Sequence, residues 1–68
     1  MYPNPAKDFL FVSIKENDSN VLITNLSGVV VYQNSNAPKG LLKVNLNKWE
    51  SGVYFVRINN NAKKLIIE

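Results

Sequence analysis

The sequence predicts an all-β chain, either a sandwich or a barrel of six antiparallel strands, with a seventh short strand near Tyr2 as an alternative. Three observations indicate this. Apolar and polar residues alternate with a period of two in several segments, and no segment has a useful helical stripe. Turn residues separate the apolar segments at a spacing of roughly 8 to 12 residues. The chain of 68 residues is long enough for one domain only.

The composition limits how so small a domain can be stabilised. There is no Cys and no His, so disulfides and the two best zinc ligands are excluded together. The domain must therefore fold on apolar burial and backbone hydrogen bonds. The net charge is +3, and the cationic residues are spread along the chain, with Lys63 and Lys64 as the only adjacent pair. A nucleic-acid-binding protein usually concentrates its cations on one face.

The first segment, "YPNP", is predicted to be a stiff entry into the domain. Pro3 and Pro5 have no N–H donor, so the segment cannot lie inside a sheet and is expected at an edge. Asn4 precedes a proline and is held extended. The segment fits a domain boundary, and it stops an upstream neighbour from adding strands to the sheet.

The first half of the chain is predicted to form three strands. "FLFVSI" places Leu10, Val12 and Ile14 on one side. The turn "ENDSN" follows, and the β-branched segments "NVLITN" and "VVVYQ" flank the turn "NLSG", in which Gly28 provides a positive φ. Asn34–Gly40 is predicted to be a loop because it is too polar for a strand. The candidate core residues of the two β-branched segments are Val21, Ile23 and Val31.

The second half is predicted to form three further strands. The alternating segments are "LLKVNLN", "GVYFVRIN" and "KKLIIE", joined by the turns "NKWESG" and "NNN". Trp49 lies in the first of these turns, where capping the edge of the core is favoured over an exposed contact. The side chains that share one face of each strand are Leu42, Val44 and Leu46, then Tyr54, Val56 and Ile58, then Leu65 and Ile67.

The sequence does not indicate an enzyme. The acidic residues lie mostly in turns or at the end of the chain, and no two are spaced as a general acid and base on one strand. Asp18 lies in a turn that lacks the spaced acids and closing glutamate of a calcium loop. We therefore expect no catalytic residue, no cofactor and no metal.

Four segments in register, "YPNPAKDFL", "VLITNLSGVVVY", "LNKWESGVYFVRI" and "KKLIIE", resemble the type A C-terminal sorting domain of the type IX (Por) secretion system of Bacteroidetes. The resemblance covers essentially the whole chain. It implies a small immunoglobulin-like β-sandwich, a single domain over residues 1–68, excised from the end of a larger secreted protein. It also implies a sorting signal that directs its parent protein through the outer-membrane translocon and is then usually cleaved off.

The resemblance also implies partners, a route and recognition residues. The expected partners are the translocon, a shuttle, a sortase-like protease and the covalently linked N-terminal parent protein, with no nucleic acid and no transmembrane segment. The expected route runs through the periplasm to the cell surface or the extracellular space. The positions that match the family motifs are Tyr2, Pro3, Asn4, Pro5, Gly28, Gly52, Tyr54, Lys63, Lys64, Leu65 and Ile66.

Two alternatives concern what the surface binds. A structural or carbohydrate-binding module would use exposed Trp49, Phe55 or Tyr32 to stack on sugar rings, and a small nucleic-acid-binding barrel is a more distant alternative. For the last strand, Lys63–Glu68, two interpretations remain open. It offers a free sheet edge to a receptor strand, or it simply closes the sandwich.

Overall fold

The computed structural model describes all residues, 1–68, and contains strands and turns but no helix. Every strand pair is antiparallel. The strands form one sheet of two strands, in the order β1-β4, and one of four, in the order β3-β2-β5-β6. The predicted all-β sandwich is therefore confirmed. The strands are β1 (Phe9–Ile14), β2 (Ser19–Asn25), β3 (Val30–Ala37), β4 (Gly40–Asn45), β5 (Gly52–Ile58) and β6 (Asn61–Ile67).

The core consists of alternate residues from both sheets, as a period of two requires. In β1, for example, Leu10 and Val12 are fully buried, and the same alternation continues in β5 and β6. Tyr32 and Trp49 are partly buried and pack against this core, so the prediction that Trp49 caps its edge is confirmed. The buried apolar residues are Ala6, Leu10, Val12, Ile14, Val21, Ile23, Ala37, Val44, Leu46, Tyr54, Val56, Leu65 and Ile67.

Hydrogen bonds of polar residues stabilise the turns at one end of the sandwich. Asp18 has a φ of 57° and Asn59 a φ of 54°, both in the left-handed region that Asp and Asn tolerate better than most residues. The Asn59 N–H donates to the Asn20 carbonyl at 2.9 Å, and the Asn59 side-chain oxygen accepts from the Asn20 N–H at 3.0 Å. Ser19, the one buried polar residue, donates its hydroxyl to the Glu16 carbonyl at 2.6 Å. These bonds satisfy polar groups where β2 begins and β5 ends.

The prediction that Val31 belongs to the core is wrong. Its side chain is 39% exposed, and the neighbouring Tyr32 packs against the core instead. The register explains this, because Ile23 is opposite Tyr32 whereas Thr24 is opposite Val30. Val31 is therefore the extra residue of a β-bulge, which shifts the alternation of β3 by one position.

The predicted loop at Asn34–Gly40 is also wrong in extent. β3 continues to Ala37 and β4 begins at Gly40, so the connection is only two residues long. A second irregularity lies here, since Ser19 is opposite Ala37 and Val21 is opposite Asn34. The polar residues Asn34, Ser35 and Asn36 therefore belong to β3, and Ala37 at its end is fully buried. The alternative seventh strand near Tyr2 proves to be a single antiparallel bridge to Phe11.

Candidate functional site

The entry segment Tyr2–Ala6, called the strap below, joins the two sheets. At its first end it pairs with β1. The Tyr2 N–H donates to the Phe11 carbonyl at 2.9 Å, and the Phe11 N–H donates to the Tyr2 carbonyl at 2.7 Å. The Tyr2 and Phe11 ring centroids lie 5.3 Å apart, and Phe9 packs edge-on against Phe11 at 5.1 Å. Backbone pairing and aromatic contact together fix the start of the strap on the two-stranded sheet.

At its other end the strap pairs with β6. The Ala6 N–H donates to the Ile66 carbonyl at 2.7 Å, and the Glu68 N–H donates to the Ala6 carbonyl at 2.8 Å. Ala6 is opposite Ile67 in a parallel bridge and is fully buried. The strap therefore crosses from the edge of one sheet to the edge of the other.

Asn4 supplies the hydrogen bonds that the prolines on either side of it cannot make. Its side-chain Nδ2 donates to the Lys64 carbonyl at 3.1 Å, and its Oδ1 accepts from the Ile66 N–H at 3.1 Å. A side-chain amide has the same donor and acceptor as a peptide group. Asn4 thus continues the pairing of β6 at a place where Pro3 and Pro5 have no N–H. This gives the "YPNP" pattern a physical reason.

The strap covers the outer edge of β6 from Lys64 to Glu68. β6 is an edge strand of its sheet, and a receptor strand can pair only with an edge strand. However, the backbone groups of Lys64 and Ile66 in β6, and of Glu68 just after it, are already bonded by Asn4 and Ala6. A receptor strand could pair along this part of β6 only after the strap has moved away.

Tyr54 anchors the turn that leads into β5. Its side chain is only 7% exposed, and its hydroxyl donates to the Glu50 carbonyl at 2.7 Å. The Trp49 ring lies 5.5 Å from the Tyr54 ring. Gly52 has a φ of 151° and Gly28 a φ of 88°, which favour glycine at the start of β5 and in the turn after β2. These contacts indicate structural roles for three of the positions that match the family motifs.

The structure brings most of the motif positions to one end of the four-stranded sheet. Gly52 is opposite Ile67, and Tyr54 lies between Leu65 on one side and Asn25 on the other. Asn25 begins the turn that contains Gly28, whose N–H donates to the Asn25 carbonyl at 3.0 Å. Segments from the start, the middle and the end of the sequence therefore meet in one neighbourhood, with the strap at its edge.

The motif positions differ in what a partner can reach. Leu65 and Tyr54 are buried, whereas Tyr2 is 53% exposed and Ile66 39% exposed. The strap residues Pro3, Asn4 and Pro5 and the cations Lys63 and Lys64 are exposed as well.

The aromatic residues do not form a flat sugar-binding platform. Trp49 and Tyr32 pack against the core, so of the three aromatics considered for sugar binding only Phe55 is exposed. A second aromatic group, missed from the sequence, comprises Tyr2, Phe9 and Phe11. Their rings are inclined to each other by 39° and 62°, so they pack on one another and present no common plane. This group holds the strap, and its signal in the sequence was the spacing of two Phe residues on one face of β1.

Two further structural facts concern ligands and membranes. The structure places no three acidic side chains close enough together to hold a metal ion. It contains no helix with the length and apolarity needed to span a membrane.

Fold and strap together define a compact β-sandwich module that is closed by its own entry segment. The chain belongs to the family of secretion system C-terminal sorting domains, whose model matches residues 1–68. Beta-agarase A of Zobellia galactanivorans is 37% identical over 70 residues, which cover 100% of this chain and 13% of that protein. The chain thus spans a small part of the length of this curated relative. No solved structure gives a significant match.

The family sets the function of the chain. It is a type IX secretion C-terminal sorting domain, a signal that directs export of the protein carrying it to the cell surface or the extracellular space. The family is one of sorting signals rather than catalysts, and it acts through the type IX machinery.

Proposed function

We propose that this domain folds in the periplasm behind an N-terminal parent protein and carries that parent through the outer-membrane type IX translocon. A shuttle then receives the folded domain, and a sortase-like protease cleaves it off during attachment of the parent to the cell surface. The chain contributes no catalytic group to these steps. Its part is to present a fixed shape to the machinery.

The observation that carries this proposal is the convergence of the motif positions in one fold. Asn4 and Lys64, which lie 60 positions apart in the sequence, are hydrogen-bonded. A signal made of such distant parts exists only when the domain is folded. This supports recognition of the folded domain, with the strap and β6 as the candidate contact region.

A reporter fusion tests the proposal. A reporter protein with a signal for inner-membrane export carries residues 1–68 at its C-terminus in a host that has the type IX system. We expect the reporter at the cell surface or in the medium, and the same reporter without the domain in the periplasm. An intact, folded fusion that remains in the periplasm contradicts the proposal.

A second host identifies the route. In a strain whose outer-membrane type IX translocon is deleted, the fusion should accumulate in the periplasm. Equal export from both strains means that the domain uses another pathway. In the same cultures, cleavage is measured as a decrease in the mass of the surface-exposed reporter by the mass of the domain.

A further inference from the structure

The outward face of the four-stranded sheet is more apolar than a solvated sheet face usually is. Antiparallel sheets with one face in water normally alternate apolar and polar residues, and central strands that are apolar on both faces are typical of sheets covered on both sides. Here the outward positions of the two central strands include Leu22, Val53 and Phe55. On the flanking strands, Val30 is 49% and Ile66 39% exposed, and Phe55 between them is 40% exposed.

The register joins these side chains into one surface. Phe55 is opposite Thr24 on one side and opposite Lys64 on the other. Leu22 is opposite Arg57, and the two flank a depression of about 400 Å³ beside the Phe55 ring. We call this surface the outer face, and it consists of Leu22, Thr24, Val30, Gln33, Val53, Phe55, Arg57, Ala62, Lys64 and Ile66.

The charges on the outer face are of one sign. The four strands of this sheet contain Arg57, Lys63 and Lys64 and no acidic residue. Arg57 and Lys64 are on the outer face, on the rows that hold Leu22 and Phe55. A partner with carboxylates complements these cations, whereas a second copy of the same face would oppose like charges.

The outward face of the other sheet is different because its aromatic side chains contact one another. Tyr2, Phe9 and Phe11 form the group that holds the strap, and the Lys43 ammonium lies 5.1 Å from the centre of the Phe9 ring. Recognition of anionic lipid typically uses clusters of about four to eight cations. The outer face has two cations around an apolar centre, which fits a protein surface better.

We propose that the outer face docks a protein partner that presents aliphatic or aromatic side chains beside Asp or Glu side chains. Phe55 is the central apolar contact, the depression beside it accepts a partner side chain, and Arg57 pairs with a partner carboxylate. The proposal rests on the proposed function, because the partner is then a component of the secretion machinery.

Paired substitutions in the reporter fusion test this docking surface. Phe55→Ser and Arg57→Glu alter the outer face. Their matched controls are Leu41→Ser, at a 58% exposed position on the other sheet, and Lys39→Glu, which makes the same change in net charge. We expect each outer-face variant to lower the exported fraction about tenfold or more, and each control to leave it near the unsubstituted level. Thermal unfolding of the purified domains verifies that all four variants are folded.

Photo-crosslinking identifies the class of the occupant. Benzoylphenylalanine replaces Phe55 in one fusion and Leu41 in a control fusion. A protease-sensitive adduct that forms from position 55 alone, and whose partner mass spectrometry identifies as a component of the secretion machinery, supports the proposal. An adduct with lipid or polysaccharide, a dimer of the fusion, or equal adducts from both positions overturns it.

The reporter results separate the two proposals. When the unsubstituted fusion is exported and the outer-face variants are exported equally well, the docking surface is wrong and the sorting function stands. When the folded, unsubstituted fusion is not exported, the proposed function fails and the docking surface fails with it.

Discussion

At the scale of single residues, the structure gives a local reason for four of the motif positions, hydrogen bonds for Asn4 and Tyr54 and backbone conformation for Gly28 and Gly52. Tyr54 is the clearest case, since its ring is buried against Trp49 while its hydroxyl reaches the Glu50 carbonyl at 2.7 Å. The phenol thus ties the turn before β5 to the core. A buried aromatic ring with a satisfied polar end is a common arrangement for tyrosine.

Tyr54→Phe removes this hydrogen bond and little else. We expect the free energy of unfolding to fall by about 1 kcal/mol. In a domain of this size that lowers Tm by roughly 4–8 °C. Thermal unfolding followed by Trp49 fluorescence measures the change. The control is Tyr2→Phe, which deletes a hydroxyl from a side chain that is 53% exposed, and an equal loss in both variants would contradict the role of the Glu50 bond.

Gly28 is required by its backbone conformation and not by space. Its φ is 88°, and a Cβ added there would meet no atom within 4 Å. Gly28→Ala should therefore lower the free energy of unfolding by about 1–2 kcal/mol through the left-handed backbone alone. Gly28→Asn should cost less, because Asn adopts this region more readily. Urea unfolding of the two variants gives the order, and the reverse order would show that the turn is not held at positive φ.

At the scale of structural elements, the contacts of the strap explain its Tyr-Pro-Asn-Pro pattern. It pairs with β1 at Tyr2 and with β6 at Ala6, and Asn4 continues the pairing between the two prolines. Three kinds of residue therefore have three separate tasks in it. The aromatic residue anchors the start, the prolines carry no N–H that needs an acceptor, and the amide side chain takes the place of a peptide group.

Asn4→Ala should release the middle of the strap from β6. Both lost hydrogen bonds are exposed, so we expect a loss of about 1 kcal/mol in the free energy of unfolding. The amide proton of Ile66 should exchange with solvent faster, because Asn4 Oδ1 is its acceptor. Hydrogen exchange followed by NMR measures this. Asn60→Ala, in the exposed turn before β6, is the control, and unchanged protection of Ile66 in Asn4→Ala would mean that the strap does not hold β6 in solution.

The elements with regular alternation could be predicted from the sequence, and those with bulges could not. "FLFVSI" and "GVYFVRIN" alternate regularly, so the side chains that the sequence grouped on one face are buried together, Leu10, Val12 and Ile14 in the first and Tyr54 and Val56 in the second. β3 contains two register shifts relative to β2, and each shift moves the side chains to the other face. Val31 was assigned to the core from its β-branched segment, and Asn34–Gly40 to a loop from its polar composition, because neither composition reveals a register shift.

The site could be predicted only in its parts. The prolines correctly indicated a segment at a sheet edge, and the resemblance identified the residues of the motifs. The bonds from Asn4 to Lys64 and Ile66 depend on the tertiary register of β6, which local pattern does not specify. The aromatic group of Tyr2, Phe9 and Phe11 was missed for the same reason, since Tyr2 joins it through the strap.

At the scale of the whole molecule, the fold is stabilised by noncovalent interactions only. It has no disulfide, and thirteen buried apolar residues form its core. So small a domain has a modest free energy of unfolding, and the free-energy cost of burying one unpaired charge can exceed it. A charge at a single core position should therefore unfold the domain while the rest of the sequence stays the same. Such a variant distinguishes recognition of the fold from recognition of the linear sequence.

Leu65→Asp tests whether the fold itself is the signal. Leu65 is fully buried in β6, and an unpaired carboxylate there should unfold the domain. Leu41→Asp makes the same chemical change at a position that is 58% exposed, and it should remain folded. Circular dichroism of the purified domains measures both states, and a folded Leu65→Asp domain would contradict the burial of Leu65 in the core.

The most direct test of the central claim is the fraction of the reporter that reaches the cell surface with each of these domains attached. If the machinery recognises the folded domain, the reporter should reach the cell surface with the unsubstituted domain and with Leu41→Asp. With Leu65→Asp it should remain in the periplasm. Equal surface fractions for all three, with Leu65→Asp intact and unfolded, would contradict the claim and assign the signal to the linear sequence.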